Sequence, residues 1–188
     1  MSILSIFKEP PKTKTHVDDD DGLSIIESKL TDKFRSSKYR PAVLVCIGTD
    51  RSTGDALGPL IGTNLSRMGL NRLHILGTLD NPVHATNLAE TLQYIQEAYR
   101  NPYIIGIDAC LGKTDSIGVI TLTEAPLLPG SGVNKQLPEV GEISLTGIVN
   151  VGGFMEYMVL QNTRLSLVWH MADRISTMLF HAYIKSSL

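Results

Sequence analysis

The stretch that decides the fold runs Ala42-Val-Leu-Val-Cys-Ile-Gly-Thr-Asp-Arg-Ser-Thr-Gly-Asp-Ala-Leu-Gly-Pro59. Its first part, as far as Ile47, is continuously apolar, which is typical of a β-strand covered on both faces. The glycine- and aspartate-rich part predicts a loop, and residues from about Asp55 to Met68 then have helical spacing. A buried strand that passes through a tight loop into a helix is a unit of a parallel α/β sheet.

The alternation of strand and helix continues on both sides of this unit. Strands are predicted at Leu73–Thr78 and Tyr103–Asp108, with a helix from His84 to Arg100 between them. This order predicts a doubly wound, mostly parallel α/β sheet with right-handed crossovers. The remaining predicted elements are a helix at Gly22–Ser36, strands at Gly118–Thr123 and Glu142–Val149, and helices at about Gly152–Leu160 and Leu165–Tyr183.

The chain of 188 residues has the length of one domain. Residues 1–21 are predicted to be a disordered tail, because Pro10-Pro11 blocks a helix and Asp18 to Asp21 repel one another. Residues 22–188 are predicted to form a single α/β domain.

Composition excludes several classes of function. The net charge of −2 and the aromatic content of 6% argue against a nucleic-acid partner. No apolar run approaches the roughly 18 residues of a membrane span, and the first residues lack the order of a secretory signal. Cys46 and Cys110 form no disulfide framework and are expected to be buried free thiols. The expected location is therefore the cytoplasm.

Acidic residues follow the predicted strands at one edge of the sheet. In open α/β sheets ligands bind beyond the carboxyl ends of the strands, where the strand order reverses. If the order begins 2-1-3, the reversal brings together Asp50 and Asp55 after the first strand and Asp108 at the end of the third. Asp80, Asn81 and His84 follow the second strand to the same edge.

Each of these residues also has a structural interpretation. Asp55 can be a helix cap, and His84 can be an exposed residue in the first turn of a helix. Asp108 is harder to explain structurally, since a carboxylate at the end of a buried strand is unfavourable unless it is paired or ligated. Together, Asp55 and Asp108 predict either acid–base chemistry or metal binding. The loop matches neither a dinucleotide fingerprint nor a P-loop.

Four strings carry a resemblance to a known family. The chain from about Pro41 onwards resembles the YyaC-like sporulation proteins of spore-forming bacteria, a family similar to the germination protease of spores and to the hydrogenase-maturation endopeptidases. The resemblance implies a three-layer α/β/α fold, catalytic carboxylates at Asp55 and Asp108, and substrate contacts at Thr49, Asp50, Asn81, His84 and Asn150. The strings are Ile47–Pro59, Thr78-Leu-Asp-Asn-Pro-Val-His84, Ile107-Asp-Ala-Cys-Leu-Gly112 and Ser144-Leu-Thr-Gly-Ile-Val-Asn150.

One feature of the hydrogenase-maturation enzymes has no counterpart. Those enzymes hold nickel with a histidine about thirty residues after the second carboxylate, whereas this chain has no histidine between His84 and His170. The chain is more similar to the germination protease, which relies on two aspartates without a metal.

The resemblance therefore implies a sporulation-associated, aspartate-dependent endopeptidase, in the cytoplasm or the forespore, with no certain cofactor. It would act on a protein, which the long loop from Ala125 to Gly141 would help to bind.

Two alternatives to this peptidase stay open. One is a non-catalytic binding or assembly factor on the same fold, with a partner protein. The other is a hydrolase that holds a divalent metal with Asp55, Asp108 and His84. The sequence does not give the oligomeric state.

Overall fold

A computed structural model describes residues 9–70, 72–130 and 137–187. They form a six-stranded sheet in the order β1-β5-β6-β4-β2-β3, with helices on its faces. Short 3-10 turns lie at Gly54–Ala56 and Thr114–Ser116. The strands are β1 Lys12–His16, β2 Ala42–Cys46, β3 Leu73–Leu76, β4 Tyr103–Gly112, β5 Val119–Thr123 and β6 Ile143–Val151. The helices are α1 Asp20–Ser36, α2 Leu57–Arg67, α3 Leu88–Ala98, α4 Glu156–Gln161 and α5 Leu165–Ser186.

The sheet is mostly parallel and reverses its order at β2. Strand β2 pairs in parallel with both β3 and β4, and β4 pairs in parallel with β6. Strand β5 runs antiparallel to both β6 and β1. The predicted doubly wound α/β fold is confirmed, and the carboxyl ends of β2 and β4 are neighbours at the reversal.

Two hydrophobic clusters on opposite sides of the sheet create the layers. Alternate residues of β2 belong to different clusters, because successive side chains of a strand point to opposite faces. Leu44 packs with α1, α2 and α5, whereas Val43 and Val45 pack with Leu88 and Ile95 of α3. The sheet therefore lies between two helical layers, as the three-layer prediction requires.

The prediction of a disordered tail is wrong for residues 12–21. Residues 12–16 form β1, which pairs along its length with β5. Asp19 caps α1, and its carboxylate accepts hydrogen bonds from the Gly22 backbone N–H at 3.0 Å and from the Thr15 hydroxyl at 3.0 Å. A capping carboxylate stabilises the exposed amides of the first helical turn, so the acidic run has a folded role. Residues 1–8 lie outside the described part of the chain.

The rest of the acidic run is held by the last helix. His170 Nε2 contacts the Asp18 carboxylate at hydrogen-bond distance, 2.8 Å, and Asp20 forms an ion pair with Arg174. Arg174 also donates to the carbonyl of Val17 at 3.3 Å. The acidic run thus has polar partners on α5, which are distant in sequence, and Arg174 among them carries a compensating positive charge.

Several predicted boundaries move in the structure. Strand β4 continues four residues beyond Asp108 to Gly112, because β6 pairs with it across a register shift after Cys110. Asp108 therefore lies inside the strand rather than at its end. Cys46 is buried as predicted, but Cys110 is only partly buried. None of the described helices is both long enough and apolar enough to cross a bilayer.

Candidate functional site

Close backbone packing fixes the position of Asp55. The Thr49 N–H donates to the carbonyl of Asp55 at 3.2 Å, which folds the loop back onto the end of β2. Gly48 adopts φ +147°, and a Cβ there would lie 1.9 Å from the Asp55 carbonyl oxygen. A Cβ on Gly58 would lie 2.1 Å from the Ile47 carbonyl oxygen. Only glycine permits both approaches, and together they place Asp55 in the turn before α2.

Residues of α4 and of the segment that follows it also pack against the Asp55 turn. A Cβ on Gly54 would meet Leu160 at 2.7 Å and the Thr163 hydroxyl at 3.0 Å. Asn150 at the end of β6 donates its amide to the carbonyl of Val159 at 3.3 Å and to the Thr163 hydroxyl at 3.2 Å. The Asn150 amide thus ties β6 to the segment that packs against the Asp55 turn.

Asp108 is an acid that favours its protonated form. Surrounding protein atoms raise the pKa of Asp108 to about 8, although the side chain keeps limited contact with solvent. The Ala109 backbone N–H, which donates to Asp108 Oδ1 at 2.8 Å, opposes this rise in pKa. The negative charge of Asp55 adds to the rise, so the two carboxylates lie within electrostatic reach.

The buried hydroxyl of Ser52 lies close to Asp55 and affects its pKa. Partial burial raises the pKa of Asp55, and the nearby Ser52 hydroxyl opposes that rise. Ser52 is only 4% exposed. Its hydroxyl makes no hydrogen bond of normal geometry within the described residues, but it lies close enough to the Asp55 carboxylate to lower its pKa. Ser52 was not among the predicted site residues; its position three residues before Asp55 was the available signal.

The pair of aspartates suits acid–base chemistry. Two neighbouring carboxyl groups that both resist ionisation share a proton over a range of pH. Burial raises the pKa of Asp108 to about 8 and also raises the pKa of Asp55, and the stronger burial of Asp108 favours that residue as the holder of a shared proton. The predicted roles of the two carboxyl groups as general acid and general base stay a prediction.

The other predicted residues of this loop lie beside the pair. The Thr49 hydroxyl accepts the Arg51 backbone N–H at 3.2 Å and stabilises the loop. Asp50 is exposed, and its carboxylate accepts from the Thr49 hydroxyl at 3.5 Å. Both residues are accessible to a ligand, and their predicted role in substrate binding stays a prediction.

Asn81 and His84 lie on the neighbouring loop between β3 and α3. This loop is joined to the Asp55 loop, since the Gly48 N–H donates to the Val83 carbonyl at 2.8 Å. His84 contacts the Thr86 hydroxyl through Nδ1 at 2.8 Å, and Asn81 is exposed. Both residues line a surface cavity of about 710 Å³ whose lining includes neither catalytic candidate.

The proposed metal ligands do not form a metal site. Within residues 9–70, 72–130 and 137–187, no three His, Cys, Asp or Glu side chains lie close enough together to hold a metal ion. The described structure thus supplies two carboxylates at this edge but does not add His84 as a third donor. A nickel site of the kind implied by the hydrogenase-maturation enzymes does not fit these residues.

A larger cavity lies at the opposite edge of the sheet. Its volume is about 980 Å³, and its lining includes Arg40, Ala42, Arg72 and His74. Ala42 begins β2, so this cavity is at the amino ends of the parallel strands. Ligand sites of open α/β sheets lie at the carboxyl ends, and the paired aspartates identify that edge more firmly than cavity volume does.

The strand order and the helices on both faces of the sheet define a three-layer α/β fold. The structure is similar to a [NiFe] hydrogenase maturation protease, HycI, from Thermococcus kodakarensis KOD1. The TM-score is 0.56 over 84% of this chain and 99% of that chain. The sequence identity is 15%, so this likeness concerns the fold alone.

The chain belongs to the family described as protein of unknown function DUF1256, whose model matches residues 14–178. A relative, the uncharacterized protein YyaC of Bacillus subtilis (strain 168), is 48% identical over 170 residues. The match covers 89% of this chain and 83% of that relative. These findings confirm the resemblance to the YyaC-like proteins and the structural relation to hydrogenase maturation proteases.

Proposed function

We propose that the protein is an endopeptidase that uses Asp55 and Asp108 as a catalytic pair without a metal ion. The observation that carries the proposal is the raised pKa of Asp108 beside a second partly buried carboxylate at the reversal of the sheet. Perturbed acids in that position are typical of catalytic sites. The protease-like fold supports the same reaction class by analogy.

The proposed reaction divides the two proton transfers between the aspartates. Ionised Asp55 accepts a proton from water, whose oxygen attacks the carbonyl carbon of the peptide bond. Asp108 donates its proton to the carbonyl oxygen, which gives a neutral diol. Asp55 then passes the acquired proton to the leaving nitrogen, Asp108 recovers a proton from the diol, and the C–N bond breaks. Both carboxyl groups return to their starting states.

The substrate in this proposal is a protein of the sporulating cell. The resemblance of the sequence strings to sporulation proteins and to the germination protease suggests that setting, in the cytoplasm or the forespore. The Ser52 hydroxyl lowers the pKa of Asp55 and so favours the ionised form that this reaction requires.

Replacement of Asp55 by asparagine tests the reaction. The variant keeps the shape of the side chain but cannot accept the proton of water, so hydrolysis should fall by about 10²- to 10⁴-fold. The measurement is cleavage of a panel of unfolded polypeptides, followed by mass spectrometry. The matched control is Asp115→Asn, an exposed aspartate in the turn before β5. An Asp55→Asn variant that cleaves at the wild-type rate would overturn the mechanism.

The activity of the wild type should depend on pH in a bell-shaped manner. Hydrolysis requires ionised Asp55 and protonated Asp108, so kcat/KM should fall about tenfold per pH unit on each side of the optimum. The alkaline limb should lie near pH 8, where Asp108 loses its proton. The acidic limb should lie above the ordinary aspartate value of about 3.9, because burial raises the pKa of Asp55. A kcat/KM that still rises at pH 10 would contradict this assignment.

A second candidate function is polypeptide binding without hydrolysis. Apolar side chains on and next to α4, which contacts the Asp55 turn, are exposed, among them Phe154 at 83%, Tyr157 at 66% and Met158 at 49%. Exposed apolar surface of this kind is typical of contacts with another polypeptide. The cleavage panel separates the two functions, since a binding factor would retain polypeptides on the protein and leave them intact.

A further inference from the structure

A row of polar residues crosses four strands, from Asp108 on β4 to Lys14 on the edge strand β1. Asp108 on β4 lies opposite Thr146 on β6, and Thr146 lies opposite Thr121 on β5. Thr121 in turn lies opposite Lys14 on the edge strand β1. Residues that are directly paired across strands point to the same face of a sheet, so these four side chains share one face.

The opposite face of the same strands forms the main core. Ile107, Ile120, Leu122 and Leu145 alternate with the polar row and pack with α1, α2 and α5. On the face of the polar row, α3 packs against Val43 and Val45 of β2, and Leu127 and Val140 cover β4 at Gly106, two residues before Asp108. Along the row, Thr121 is buried, Thr146 is partly buried and Lys14 is exposed. A polypeptide could therefore approach the row from the side of β1.

The thiol of Cys110 lies within electrostatic reach of both ends of the polar row, Asp108 and Lys14. Cys110 lies two residues after Asp108 and therefore on the same face of β4. Burial raises the pKa of Cys110 to about 11, the Thr146 hydroxyl lowers it, Asp108 raises it and Lys14 lowers it. The thiol is thus neutral and lines the space, and the charges of both Asp108 and Lys14 reach it.

Lys14 is a cation without a carboxylate partner in the described parts of the chain. Its neighbour on the same face, Lys12, pairs with Glu9 at 3.7 Å, and Lys33 pairs with Glu124 at 2.6 Å. No acidic oxygen of the described residues lies within 4.0 Å of the Lys14 ammonium group. A free cation at the end of a hydroxyl-lined row suits an incoming anion.

We propose that Lys14, Thr121 and Thr146 form a subsite for a carboxylate of the bound polypeptide. This inference rests on the proposed function and adds a charge preference to it. Three strand spacings of about 4.8 Å place the backbones at Lys14 and Asp108 about 14 Å apart. An extended polypeptide advances about 3.3 Å per residue, so the carboxylate lies about three or four residues from the bond at Asp108. It belongs either to an acidic side chain or to the chain terminus.

Binding of defined peptide pools tests the subsite. Three pools of random ten-residue peptides, without other charges and labelled with a neutral dye, are titrated by fluorescence anisotropy. One has a free terminal carboxylate, the second has one internal glutamate and an amidated terminus, and the third has glutamine and an amidated terminus. The protein is the Asp55→Asn variant, which prevents cleavage. We expect at least one carboxylate pool to bind about three- to tenfold more tightly than the glutamine pool.

Substitution of the two lysines assigns the preference. Lys14→Ala and Lys14→Gln should each remove it, whereas Lys12→Ala, on the same strand and face, should leave it intact. Comparison of the first two pools identifies the source of the carboxylate. Equal binding of all three pools, no binding of any pool, or equal losses in the Lys14 and Lys12 variants would overturn the subsite.

The same pools keep the two proposals separate. Lys14-dependent binding by a wild-type protein that cleaves no peptide would contradict the peptidase and support the subsite. Cleavage of all pools by the wild type, together with binding that ignores the carboxylate, would contradict the subsite alone.

Discussion

Replacing Asp108 with asparagine is expected to make the protein more stable at alkaline pH while removing its peptidase activity. The pKa of Asp108 is about 8 in the folded protein and about 3.9 in an unfolded chain. Between these values the folded state holds a proton that the unfolded state has released. The free energy of unfolding therefore falls as pH rises through this window, and the full penalty applies above pH 8.

The size of this penalty makes the effect easy to measure. One unit of pKa difference corresponds to about 1.4 kcal/mol, so a difference of about four units corresponds to a destabilisation on the order of 5 kcal/mol above pH 8. Asparagine resembles the protonated acid in shape and cannot ionise, so the variant avoids the penalty. Urea unfolding at pH 5, 7 and 9 should show a gap between variant and wild type that widens with pH. An identical pH dependence would contradict the raised pKa of Asp108.

Activity should change in the opposite direction to stability. Without a proton donor for the carbonyl oxygen, hydrolysis by Asp108→Asn should fall by about 10²- to 10⁴-fold. A general folding defect would lower both quantities together, so the opposed changes identify a catalytic acid. The control variant Asp115→Asn, in an exposed turn, should leave both quantities near the wild-type values.

The position of Asp55 and Asp108 near the carboxyl ends of neighbouring strands was predictable from the local sequence pattern. The apolar run at Ala42–Ile47 and the run before Asp108 are buried strands with helices between them, and these determine which strand ends are neighbours. Spacing alone could not reveal which aspartate holds the proton. That property depends on the atoms around each carboxyl group, which come from several elements of the fold.

The edge strand was not predictable in the same way. Residues 12–16 are mostly polar, and of these five only Thr15 is buried. An edge strand with one solvated face needs little apolar sequence, and its pairing with β5 joins residues more than a hundred positions apart. The alternation of lysine and threonine was the available signal, but the neighbouring prolines and aspartates favoured a tail. The sequence therefore did not predict that Lys14 lies on the same face of the sheet as Asp108.

Replacing Gly48 with alanine should disrupt the site by a purely steric route. The added Cβ would lie 1.9 Å from the Asp55 carbonyl oxygen and 2.8 Å from Pro59 Cδ, and the φ of +147° is unfavourable for alanine. Backbone strain and overpacking each cost about 1–3 kcal/mol, so the free energy of unfolding should fall by about 2–6 kcal/mol. The structure can relieve the clash only by moving the Asp55 turn away from β2.

That movement should reduce catalysis beyond its effect on stability. Displacement of a catalytic group by about 1 Å can lower a rate by about 10²-fold, and the residual folded variant should show such a loss. Gly69→Ala is the matched control, because Gly69 also has a positive φ, at +68°, but a Cβ added there would meet no atom within 4 Å beyond its chain neighbours. It should lose about 1–2 kcal/mol of stability and retain activity. Equal activity in the two folded variants would show that contact between Gly48 and Asp55 does not position the catalytic carboxylate.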